Sequence, residues 1–154
     1  MWLLGHFAIG YFIGVLISRV TGEKMNLPLI YIFSILPDID VLFPELVHRS
    51  ITHSIVLATL LFIPVFLITR KGFPYWGALA SHTLIGDLFQ GPAFQLLWPV
   101  SNAYIEAPFP RLFGISETFL ELGLFLIMAF MVVKDLRRIR RSTGSTIRIF
   151  NIEF

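Results

Sequence analysis

Residues 27–54 read LPLIYIFSILPDIDVLFPELVHRSITHS, and the fold turns on how this stretch changes character. An apolar run from Leu27 to Leu36 stops at Pro37, and Asp38-Ile39-Asp40 follows at once. His48-Arg49-Ser50-Ile51-Thr52-His53-Ser54 then leads into a second apolar run beginning at Ile55. Ten residues are too few to cross hydrocarbon as a helix, which takes about 20. Adding the polar ends restores the length, so those ends are expected to emerge at one membrane interface. Ionisable groups at such positions are costly, and their default reading is a functional site.

The rest of the chain agrees. Further apolar stretches cover Trp2–Ser18, Ile55–Thr69, Phe73–Ile85 and Phe113–Val133. Over 154 residues the composition is 56% hydrophobic and only 14% charged, with a mean hydropathy of +0.78. A soluble domain would carry about a quarter charged residues. The expected fold is all-α: a multi-pass transmembrane bundle of about five helical segments. Cysteine is absent, which excludes disulfides and thiolate metal sites. Met1–His6 lacks the basic stretch of a signal peptide and is expected to be retained.

Basic residues set the orientation. Lys134, Arg137, Arg138, Arg140, Arg141 and Arg148 crowd the C-terminal region. Beside a membrane helix such a run reads as a cytoplasmic signal rather than a nucleic-acid site, and no nucleic-acid partner is expected. Alternating backwards from that tail puts Arg70 and Lys71 inside, with Arg19 and Lys24. Only Arg49 and Arg111 of the 12 basic residues then lie outside. The same alternation brings His6, Asp38, Asp40, His48, His53, His82 and Asp87 to the outer face, from four different segments. These include every histidine of the chain. Imidazoles and carboxylates together are ligands for Zn²⁺, Mn²⁺ or Fe²⁺, so a divalent metal, zinc first, is the expected cofactor.

Individual positions carry finer expectations. Pro37 disfavours helix before it, and in extended chain Asp38 and Asp40 would point the same way and share a metal. Ser50 or Thr52 could cap the third segment, placing His53 in its first turn near N–H groups suited to an anion. His82 and Asp87 are five apart, roughly 140° around an ideal α-helix, and share a face only if Gly86 marks a bulge. Glu117 and Glu121 share a helix face and could supply a base or a further ligand. Arg49 and Arg111 could hold a phosphate.

Taken together these residues resemble the YdjM-type family of membrane-bound metal-dependent hydrolases. The likeness rests on His6, Leu36-Pro37-Asp38-Ile39-Asp40, His48-Arg49-Ser50-Ile51-Thr52-His53-Ser54, Ser81-His82 with Asp87, and Leu97-Trp98-Pro99-Val100-Ser101. It covers roughly residues 1–101. Through that family the chain is more distantly similar to zinc-dependent phospholipase C and P1-type nucleases, helical proteins whose multi-metal sites cut phosphodiesters. The spacing from His82 to Asp87 is longer than the family's.

The resemblance implies a hydrolase domain over 1–141 in the inner membrane and a cytoplasmic tail over 142–154. Its substrate would be a phosphoester, such as a lipid phosphodiester, at the extracytoplasmic leaflet. Metal-activated water would attack, a second ion about 3.5–4 Å away would steady the leaving oxygen, and Asp40, Arg49 and Glu117 would assist catalysis. A metal or proton transporter is a rival reading, yet Ile9–Ile17 and Leu124–Val133 carry no ionisable group beyond Tyr11. A structural metal is another, though such a site closes with four ligands and seven candidates are present.

Cysteines introduced at Glu45 and Ser101 should react with an impermeant thiol reagent on intact cells, and one at Ser142 should not. The native chain gives no background. The reverse pattern would invert the topology.

Overall fold

The computed structural model describes residues 3–88, 93–106, 115–143, 148–149 and 152–153, with side chains of the last helix from 118 to 137. Five α-helices occur among them: α1 (Leu3–Thr21), α2 (Leu27–Ile35), α3 (Ile55–Thr69), α4 (Phe73–Ser81) and α5 (Ile115–Thr143). They match the five apolar stretches closely. α5 carries on to Thr143, two residues into the expected tail, and Arg148–Ile149 pairs antiparallel with Ile152–Glu153 beyond it. Among the described residues one helix, α1, is long and apolar enough to cross a membrane; α3 is a shorter apolar helix.

Each boundary has a local cause. Asn26 caps α2 by accepting from Leu29 N at 3.1 Å, with Pro28 in the first turn. Ser54 caps α3 through Leu57 N at 3.2 Å, and Arg70 closes that helix in the left-handed region (φ 54°). α2 does not stop at Pro37 in extended chain, as the sequence suggested. It tightens into a 3₁₀ segment over Leu36–Leu42. α4 likewise widens into a π segment over His82–Asp87. Both changes occur at the end of the molecule that carries the histidines.

The opposite end is tied by one carboxylate. Glu23 Oε2 accepts from Gly72 N at 2.6 Å and Phe73 N at 3.1 Å, satisfying the free donors that begin α4. This joins the α1–α2 turn to the α3–α4 turn, where Arg19, Lys24, Arg70 and Lys71 also lie.

α1 is central, packed against α4, α2 and α5. Ala8, Tyr11, Val15, Met25, Leu27, Ile30, Ala78 and Met128 form the core. Gly10 and Gly14 let α2 approach closely: a Cβ on Gly10 would meet Ser34 Cβ at 2.5 Å, and one on Gly14 would meet Ile30 Cδ1 at 2.8 Å. Small residues at helix contacts serve packing where burial in lipid provides no hydrophobic drive. α3 buries none of its residues: Phe62 and Phe66 pack on Phe73 of α4, while Leu60, Leu61, Ile63, Val65, Leu67 and Ile68 are exposed.

Gly10→Ala should destabilise the protein by about 1–3 kcal/mol, because Ser34 Cβ sits on backbone that cannot give way. Gly123→Ala, with nothing within 4 Å, should be neutral or stabilising by up to about 1 kcal/mol. Thermal unfolding in detergent of the two variants checks the contrast.

Candidate metal centre

The 3₁₀ segment separates the two aspartates. With three residues per turn, positions i and i+2 face different ways, so Asp38 and Asp40 do not share a ligand site as extended chain would allow. Asp38 turns toward His53 and His82. Asp40 turns toward the loop that follows.

Asp40 is wholly engaged there. Its Oδ1 accepts from His48 Nδ1 at 2.8 Å, and its Oδ2 accepts from Thr52 Oγ1 at 2.7 Å and Arg49 N at 3.2 Å. Burial pushes this carboxyl up, but the hydrogen bonds from His48 and Thr52 prevail and hold it below the usual range. Asp40 therefore organises the loop. The Thr52 hydroxyl spends its proton on Asp40, so at 3.1 Å it can only accept from His53 Nδ1. That puts a His53 proton on Nδ1, which in the neutral ring leaves a lone pair on Nε2.

His82 is pinned in the same sense. Its Nδ1 lies 2.8 Å from Ser34 O, which can only accept, so its Nε2 lone pair is free as well. Pro37 helps: the 3₁₀ pattern would offer that carbonyl the N–H of residue 37, which proline lacks.

The two Nε2 atoms then face one another at 3.4 Å. Asp38 Oδ1 stands 3.3 Å from one and 3.4 Å from the other, and Asp87 Oδ2 stands 3.6 and 3.7 Å away. The longer His82–Asp87 spacing is answered by the π segment, whose i→i+5 pattern lets residues five apart overlie. His6 stacks on His82 with ring centroids 3.8 Å apart and planes at 10°. A Cβ on Gly86 would run into that imidazole, so this glycine makes room for His6.

Four lone-pair carriers pointed at one another in a buried site repel unless a cation lies between them. Protonated rings would serve, with Nε2–H donating to Asp38: burial pushes that carboxyl up, yet hydrogen bonds from His53 and His82 hold it well below the usual range. A divalent metal would serve as well. Tetrahedral zinc with bonds of about 2.0 Å has ligand edges of about 3.3 Å, close to the separations observed. Among the described residues, three groups have ligand atoms within 4.8 Å of one another: His6, Asp38 and His82; Asp38, His48 and His53; His53, His82 and Asp87. The buried His6 Nδ1 and both Asp87 oxygens lack hydrogen bonds.

Arg49 takes a left-handed φ of 65° and brings Nη1 to 3.2 Å from Asp87 Oδ1, close enough for attraction but misaligned for a hydrogen bond. Its guanidinium is thus held beside Asp87. His53 lies in a 3₁₀ turn before Ser54, not inside the first turn of α3. Two of the first N–H groups of α3 are taken, Ile55 N by Leu96 O and Leu57 N by Ser54 Oγ. Ser54 itself donates to the carbonyls of Trp98 and Leu96. Glu121 is buried and accepts from Gly5 N at 3.3 Å, one residue from His6. Arg111 and the Glu117 side chain lie outside the described residues.

The sequence pattern of the YdjM inner membrane protein family matches residues 1–144, and the chain belongs to that family. No curated protein and no solved structure matches it. Membership associates the chain with the lipid bilayer.

Asp38→Asn and His53→Ala should each abolish stoichiometric metal binding. Asp40→Asn should weaken it roughly 10- to 100-fold, because it orients His48 and His53 from behind. Elemental analysis and chelator competition on the purified variants separate the two outcomes; equal loss would make Asp40 a direct ligand.

Proposed function

We propose that this protein is a multi-pass membrane enzyme that hydrolyses phosphoesters with a divalent metal, zinc before manganese or iron. The observation that carries the reading is the pair of buried imidazoles, each held by Nδ1 and presenting Nε2 to the same two carboxylates. A closed structural site would use four ligands, whereas three overlapping groups draw on six residues. That surplus favours more than one ion and open positions for water and substrate.

The orientation has support of its own. The basic turns at Arg19–Lys24 and Arg70–Lys71 lie at the end tied by Glu23, away from the histidines. The positive-inside rule then turns the cluster to the extracytoplasmic face and the C-terminal tail to the cytoplasm.

A divalent ion held here supplies an activated water and a Lewis acid for the phosphoryl oxygens. The reaction adds water across a P–O bond, its hydroxyl going to phosphorus and its proton to the departing alcohol oxygen. The chain's part is to orient the ligands through Asp40, Thr52 and Ser34 O, and to keep the inner site dry so that charges act strongly. Arg49 offsets one carboxylate charge beside the substrate position.

Zinc-loaded protein should hydrolyse a phosphodiester probe, and His53→Ala should not. Arg49→Lys should lower kcat/KM roughly 10- to 1000-fold, about 1.4–4 kcal/mol, with metal content unchanged, because a point charge replaces a planar fork. Parallel loss of metal would instead make Arg49 a support for Asp87. No hydrolysis of any phosphoester by metal-replete protein would end the enzymatic reading.

A further inference from the structure

Within the cluster, His6, His53, His82 and Asp87 are buried. The side chains of Asp38 and His48 reach the surface, 37% and 44% exposed. Both line one groove of about 540 Å³, within the range of sites that hold a small ligand. Apart from these two and Arg49, the groove is walled by aliphatic side chains, among them Leu3, Ile32, Ile35, Leu36 and Ile39. From Asp38 it runs back along α2 to Ile32, about 10 Å by helical rise. That direction leads from the interface into the hydrocarbon of the proposed topology.

We infer that this groove holds one acyl chain of a membrane lipid whose phosphorylated head lies at Asp38, His48 and Arg49. The inference rests on the hydrolase reading and names the substrate class. A soluble phosphodiester would gain nothing from these aliphatic walls and would have to enter past them. An amphiphile matches both ends: its chain covers apolar surface, and its phosphate meets the cationic guanidinium, the imidazole and any metal beside Asp38. A lipid already in the leaflet reaches the site by lateral movement, without its chain entering water.

The test uses the full chain in phosphatidylethanolamine vesicles containing a trace of phosphatidic acid with a diazirine on one acyl chain. Photolabel should concentrate in residues 32–42. Ile35→Trp and, as a milder filling of the same groove, Ile39→Trp should each cut that labelling at least fivefold, leaving label on the outward face of α3 unchanged. Label spread evenly over 32–42 and α3, or unaffected by both substitutions, overturns the inference. So does cross-linking at 32–42 to a second copy of the chain in place of lipid. Turnover is read separately on phospholipid and on a small soluble phosphodiester. Protein that hydrolyses neither but labels at 32–42 retains the groove and loses the hydrolase; protein that hydrolyses both and labels evenly retains the hydrolase and loses the groove.

Discussion

Two histidine rings held by the wrong nitrogen for mutual comfort govern this structure. Ser34 O fixes the proton of His82 on Nδ1, and Thr52, itself committed to Asp40, does the same for His53. Their remaining lone pairs meet each other and two carboxylates, in a space where both rings and Asp87 are buried and Asp38 alone reaches the surface. Unpaired polar groups in such a place are costly, and the cost is relieved only by a positive charge at their centre. Many of the irregularities of the backbone exist at this point. The 3₁₀ segment sends Asp38 inward, the π segment brings Asp87 over His82, and Gly86 leaves room for His6.

Such a site needs a frame that does not yield. α1, α2 and α4 supply it through close backbone approach at Gly10, Gly14 and Gly77, where added side-chain atoms would collide with neighbouring helices. The far end is fastened by Glu23, which caps α4 from the α1–α2 turn. The ligand-bearing segments emerge from these helices before regular structure gives out. Asp38, His82 and Asp87 therefore inherit their positions from helix packing, whereas His48 and His53 sit in the loop that Asp40 holds through His48, Arg49 N and Thr52, and a metal site requires firm support of this kind.

Much of this was legible in the sequence, and the failures are local. Apolar runs marked all five helices, and the alternation of basic turns brought the histidines and aspartates together without any coordinates. The division of labour between Asp38 and Asp40 was not legible. A residue pattern cannot distinguish extended chain from a 3₁₀ turn after Pro37, and the two put alternate side chains on opposite courses. His82 and Asp87 posed the same difficulty, since their union depends on a π turn that Gly86 permits but does not announce. The cap of α3 was misplaced because Ser50, Thr52 and Ser54 are all good caps by type. Only the tertiary demand of Asp40 removes Thr52 from the choice. Glu121 was singled out for its spacing with Glu117, but its bond to Gly5 N joins residues 116 apart in sequence and leaves no local signal.

Charge at the centre constrains what can bind there. Asp38, Asp40 and Asp87 contribute three negative charges and Arg49 one positive charge, so with neutral imidazoles the set carries a formal charge of −2. One divalent ion brings it to zero, and a second brings it to +2. Neutrality suffices for a structural site, which has nothing further to attract. A surplus positive charge suits a site that must draw a phosphate to an apolar mouth and hold the charge that grows on its oxygens as the P–O bond breaks. The three overlapping ligand groups, sharing Asp38, His53 and His82, have the donors to bind that second ion without recruiting further residues. The proposed catalytic centre and the inferred lipid groove would thus make the same demand of the cluster, that it hold more metal charge than its own carboxylates balance.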